Sequence, residues 1–146
     1  MQIKQIKKKE KGQSLVELAL MITFILILLA GVVDLGRMMY EYLTMRDAAQ
    51  EGAGYGAIFP DYCEETIRRV QDNLPDNNYQ VLLTVDGSPC TGTYIQNLGC
   101  AGEPLMVEVK HNFAVTMPLL GAIVDPQGDG VPMNVIIEDR IVRPEC

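Results

Sequence analysis

The chain has no tryptophan, a single histidine and four cysteines, and these scarcities narrow the chemistry open to it. His111 has no cysteine near it in a catalytic motif. It falls on the apolar face of an expected strand, where a packed, hydrogen-bonded imidazole is the ordinary role. Cys63, Cys90, Cys100 and Cys146 form no CxxC pair and no zinc-type Cys/His spacing, so no metal site is expected. There is no GxSxG, P-loop or HExxH. The run Asp125–Gly130 lacks the alternating oxygen ligands and closing glutamate of a calcium loop, and reads as a turn. No cofactor is expected, and the chain is not expected to be an enzyme. Basic residues are also scarce beyond the first dozen positions. Five of the 12 Lys and Arg lie in the first eleven residues, against one of the 19 Asp and Glu. The acidic remainder argues against a nucleic-acid partner, which needs cations against phosphates.

What the chain does have is one long apolar run. Leu15 to Val33 is apolar except for Glu17 and Thr23. At about 1.5 Å per residue it spans roughly 28 Å, close to the thickness of the hydrocarbon layer. Lys4, Lys7, Lys8, Lys9 and Lys11 precede it and Asp34 follows. By the positive-inside rule the tail stays cytoplasmic and the body crosses. A secretory signal would have a shorter apolar core and a small-residue cut site. Glu17 is the anomaly, because a carboxylate near an apolar span costs a few kcal/mol on insertion scales. Either it snorkels to the headgroups, or it has a partner cation such as Lys11 or a new amino terminus.

The stretch Lys11-Gly12-Gln13-Ser14-Leu15-Val16-Glu17 resembles a type IV prepilin signal, a basic leader ending in glycine before an apolar helix. The resemblance implies a cut after Gly12, which makes Gln13 the first residue and Glu17 the fifth. Two further stretches, Gly31-Val-Val-Asp-Leu-Gly-Arg37 and Asp47-Ala-Ala-Gln-Glu-Gly-Ala-Gly-Tyr-Gly-Ala57, make the chain similar to the TadE-like pseudopilins of tight-adherence (Flp-type) pilus systems. That likeness implies a pilin-like structural subunit, a minor pilin or pseudopilin, used in adhesion or pilus biogenesis. The partners it implies are the membrane, a prepilin peptidase, other pilin or pseudopilin subunits and a pilus assembly platform, with Glu17 acting in subunit assembly. The alternative is a permanently membrane-bound assembly or binding factor of an envelope secretion system. Localisation follows as single-pass in the cytoplasmic membrane, with the pilus or cell surface as a second destination.

The expected fold class is α+β, a long N-terminal helix running into a small extracytoplasmic domain with three to four antiparallel strands. Its parts are a basic leader over 1–12, a transmembrane helix over 13–33, an amphipathic continuation over 34–59 and a domain over 60–146. Past the span, Leu35, Met38, Tyr42, Met45, Ala49, Gly52 and Gly56 recur at spacings of three and four, one helical face. The small residues Ala48 to Ala57 leave two readings open, a fraying helix end or close backbone approach. Pro60 ends the helix. Asp61 with Glu64 resembles a capping pair for a short second helix carrying Ile67, Val70 and Leu74.

Three strands follow. Tyr79 to Val85 places Tyr79, Val81, Leu83 and Val85 on one face. Leu105 to Val115 alternates clearly. Met133 to Val142 is less regular, with Asp139 breaking the period at a bulge or exposed edge. Asp86 to Pro104 reads as a long loop. In an oxidising compartment the cysteines are disulfide candidates. Four permit three pairings, and the expected one closes the loop with Cys90–Cys100 and ties the tail with Cys63–Cys146.

Overall fold

The structure is a computed structural model that describes residues 11–92 and 99–142. Helix α1 (Lys11–Ile58) is unbroken over 48 residues, about 70 Å at 1.5 Å per residue. It is followed by α2 (Cys63–Asp72), β1 (Gln80–Val85), β2 (Ser88–Pro89), β3 (Pro104–Phe113), α3 (Pro118–Val124) and β4 (Val131–Arg140). The strands form one antiparallel sheet in the order β2-β1-β3-β4. This is the α+β arrangement expected from the sequence.

The sheet covers only the distal part of α1. Residues buried or half-buried on the helix run Gly31, Asp34, Met38, Glu41, Met45, Ala48 and Gly52, at alternating steps of three and four. That spacing keeps one stripe toward a neighbouring layer. The expected face was offset: Leu35 and Tyr42 are 67% and 41% exposed, while Asp34 is 6% exposed. The two acids displace the two apolar residues because both have partners inside the domain, described below. Met45, Ala48, Ala49 and Ala53 pack against Leu105, Val107, Val109 and Val135 of the sheet in one core.

The small-residue run is a site of close approach, and the helix continues through it. A Cβ at Gly52 would stand 2.2 Å from Cγ2 of Val70, and one at Gly56 would stand 2.8 Å from Cδ1 of Leu105. Hydrogen there lets α2 and β3 come nearer than any side chain would allow. Arg69 of α2 lies 4.1 Å over the Tyr55 ring and adds a cation–π contact across the same seam.

The second helix begins later than its expected cap. Tyr62 flanks α2 and makes no side-chain cap hydrogen bond, so Asp61 does not hold the capping position. The first-turn amide of Glu64 instead donates to the Gly92 carbonyl at 3.1 Å, and Cys63 is held by a disulfide to Cys90, with Cα atoms 5.5 Å apart. This pairing corrects the expected Cys90–Cys100 bridge, and with it Cys63–Cys146. The physical reason is a hairpin. Asp86 and Gly87 both have positive φ, +44° and +74°, as a tight two-residue turn requires. The turn folds β2 back on β1, Cys90 N–H donates to the Leu83 carbonyl at 2.8 Å, and Cys90 lands beside α2. Cys100 is also disulfide-bonded. Cys146 lies outside the described residues.

The inward faces of β1 and β3 are as expected: Tyr79, Leu83, Val85, Leu105, Val107, Val109 and Phe113 are buried. Strand β4 pairs with β3 in unbroken register from Phe113↔Val131 to Pro104↔Arg140, with no bulge. Asp139 breaks the apolar period because β4 is the edge strand and Asp139 is exposed there.

Candidate functional site on the long helix

The expected processing and assembly residues all lie in the first two turns of α1. Gly12, Gln13 and Glu17 are exposed, and a Cβ at Gly12 would meet nothing within 4 Å. Gln13 and Glu17 are four residues apart, hence neighbours on one face of the helix. No ion pair among the described residues reaches Glu17.

From Leu15 to Val33 the apolar side chains are bare. Leu15, Leu20 and Val32 are 66–68% exposed, and Phe24 and Val33 are 60% exposed. These positions lie on different sides of the helix, so apart from half-buried Gly31 near its upper end the domain leaves this stretch uncovered. Each large apolar side chain gains about 1.5–3 kcal/mol when removed from water, so leaving the whole run wet would cost on the order of 20 kcal/mol. The helix is the one among the described residues long and apolar enough to cross a membrane. That suggests a single-pass membrane protein.

The junction between the bare and covered parts of α1 is built around Asp34. Its carboxylate accepts a hydrogen bond from the Met117 backbone N–H at 2.8 Å and lies 3.6 Å from the Arg37 guanidinium. Arg37 donates to the Thr116 hydroxyl and sits 5.4 Å over the Phe113 ring. One turn of helix thus grips the end of β3 and the start of α3. Sequence reading missed this joint. The signals were an Asp and an Arg three residues apart just past an apolar run, and Pro118 as a first-turn proline opening a helix.

Higher on the same stripe, Glu41 Oε2 lies 3.4 Å from His111 Nε2. The Tyr79 ring stacks on the imidazole at 4.2 Å. Burial, followed by the Glu41 charge, pushes the Tyr79 phenol above its usual pKa. His111 Nδ1 and Glu41 Oε2 are both buried without a hydrogen bond, so the expected packed histidine is present but the hydrogen bond expected with it is not seen among the described residues. Glu41 and His111 border a cleft of about 730 Å³ whose described lining includes Arg37, Asp76, Lys110 and Asn134, but no serine, threonine or cysteine. The Asp125 turn spends its carboxylate on its own backbone, accepting from Gly128, Asp129 and Gly130 N–H at 2.8–3.0 Å. No cluster of three or more metal-ligating side chains occurs among the described residues.

Residues 12–54 match the family model of TadE-like protein. Over that stretch the helix is similar to TadE-like proteins. The match begins at Gly12, runs through the bare apolar stretch and the Asp34 joint, and ends within the small-residue seam. No curated protein and no solved structure matches the chain. The matched stretch is the long helix, and the sheet domain lies outside it.

Proposed function

We propose that the chain is a pilin-like subunit, a minor pilin or pseudopilin, of a tight-adherence pilus, and that its work is assembly and not turnover. The observation that carries this reading is the division of one rigid TadE-like helix. Its apolar part is bare except where α3 meets Gly31, and its second half is built into a folded domain. Such a helix can be stored in lipid and later exchange lipid contacts for contacts with neighbouring helices. The basic leader favours a cytoplasmic tail and an extracytoplasmic domain. Cleavage after Gly12 by a prepilin peptidase would leave Gln13 as the amino terminus and Glu17 near the membrane surface.

Glu17 then has a role no lipid-facing residue needs. Beside a neighbour's amino terminus at about 4 Å, with an effective dielectric near 20, the gross attraction is roughly 4 kcal/mol. Desolvation offsets much of it, so the pair acts chiefly by rejecting wrong axial registers between subunits. The test is N-terminal sequencing of the mature protein, with the subunit assayed in sheared filaments and in membranes. A chain beginning at Gln13 and present in filaments is expected. A retained leader would refute the processing step. Processing without recovery in filaments would assign the chain to a membrane-bound assembly factor.

A further inference from the structure

The contacts below the sheet form a descending series. Thr116 meets Arg37, Met117 N–H meets Asp34, and Leu120 Cδ1 lies 3.6 Å from where a Cβ on Gly31 would stand. The chain from β3 into α3 therefore runs back along α1 toward the amino terminus, and it passes the upper end of the apolar run. Gly31 is itself inside that run. At that distance Leu120 lies in ordinary van der Waals range of the helix at Gly31.

The segment that arrives at this level has the composition of a lipid-facing surface. From Ala114 to Val124 there is no charged residue, and Thr116 is the sole hydroxyl. Ile123 and Val124 are 72% and 56% exposed. Nothing in the domain covers them among the described residues, although each would gain by leaving water. The charged residues return immediately after the helix, at Asp125 and Asp129. Asp125 is fixed in the turn by three backbone donors. An apolar helix bounded by a carboxylate turn, beside the end of a membrane span, fits the interface between acyl chains and headgroups.

We propose that α3 is a second membrane contact, seated in the outer leaflet beside the span, with Ile123 and Val124 among the lipid chains. It rests on the reading of α1 as a membrane helix. The occupant of this surface is lipid because the surface is continuous with the bare apolar part of α1. A single helix would leave the domain free to rotate about its own axis and to tilt. A second contact, locked to the first through Asp34 and Arg37, sets one face of the domain toward the bilayer.

The absence of tryptophan supplies the test. Single variants Ile123→Trp, Val124→Trp, Val32→Trp and Phe59→Trp of the full chain are reconstituted into phosphatidylethanolamine–phosphatidylglycerol vesicles with or without brominated acyl chains. Both α3 positions are exposed, so the larger ring need not disturb packing. Val32 reports the span. Phe59 is exposed and lies past the far end of α1, about 35 Å beyond Asp34. The expected result is blue-shifted emission at position 123 or 124, roughly halved by the brominated lipid, with Val32→Trp quenched and Phe59→Trp untouched. Quenching at Val32 with none at 123 and 124 overturns the α3 contact and leaves the anchor standing. A blue shift at 123 without bromine quenching overturns it in favour of a second protein copy. Quenching at Phe59 overturns it as general adsorption. No quenching at Val32 removes the anchor and the proposal together.

Discussion

Two glycines two residues apart on α1 should respond to the same substitution with opposite signs. Gly52 faces α2, where an added Cβ would stand 2.2 Å from Val70 Cγ2 and 3.7 Å from Val70 Cβ. Val70 is fully buried, and a β-branched side chain in a helix has essentially one rotamer, so it cannot swing aside. Alanine for glycine in a helix interior gains about 1 kcal/mol. Overpacking a filled core costs about 1–3 kcal/mol, and an overlap this deep belongs at the upper end. The net for Gly52→Ala is a loss of roughly 1–2 kcal/mol, or about 5–15 °C in Tm for a domain of this size. At Gly54 an added Cβ meets nothing within 4 Å. Gly54→Ala should then gain about 0.5–1 kcal/mol and raise Tm by several degrees. The assay is thermal unfolding of the full chain in detergent, followed by near-ultraviolet circular dichroism of the tyrosines. The signal from Tyr79, stacked on His111, reports the domain and not the apolar helix. Adding Val70→Ala to Gly52→Ala should cost less than the sum of the two changes, because the contact removed is shared. A Gly52→Ala protein as stable as wild type would refute the close-approach argument.

Further outcomes follow from the Asp34 joint, the disulfide and Glu17. Asp34→Ala removes the acceptor of Met117 N–H and a carboxylate beside Arg37. It should cost about 1–3 kcal/mol and raise amide hydrogen exchange at Met117 and along α3 before any change in β1. Peptide mapping without reduction should yield a Cys63–Cys90 linked peptide. Cys63→Ser with Cys90→Ser should lower stability by roughly 3–4 kcal/mol, from a loop with a sequence separation of 27. Glu17→Leu should insert in membranes at least as well as wild type yet be recovered poorly with pilus partners. Wild-type recovery would reduce Glu17 to an interfacial residue.

Legibility in the sequence followed the range of the interactions. The apolar run, the alternation at Leu105–Phe113 and the helix-breaking Pro60 are local, and each predicted its element directly. The pairing of Cys90 was not local. It depended on whether Asp86-Gly87 made a hairpin, and that dipeptide was read only as part of a loop, although it is a strong two-residue turn signal. The helix face failed at Asp34 and Glu41 for another reason. A hydropathy pattern assigns acids to the outside, and both acids turn inward to partners more than 65 residues away in sequence, Met117 and His111. Of the candidate site, the helix and its bare half were legible. The Asp34 joint was not, because its meaning lies in what it holds.

The open edge of the sheet bears on what a crowded membrane can do to this protein. An exposed strand is a template on which another chain can add by main-chain pairing. Strand β4 carries Pro132, which has no N–H to offer, and Glu138, Asp139 and Arg140 toward its end, all exposed. The opposite edge is the two-residue β2, itself ending in Pro89. Both borders of the sheet are therefore poor seeds for amyloid-like stacking. Copies of this protein brought close together therefore have little to gain by pairing strand to strand.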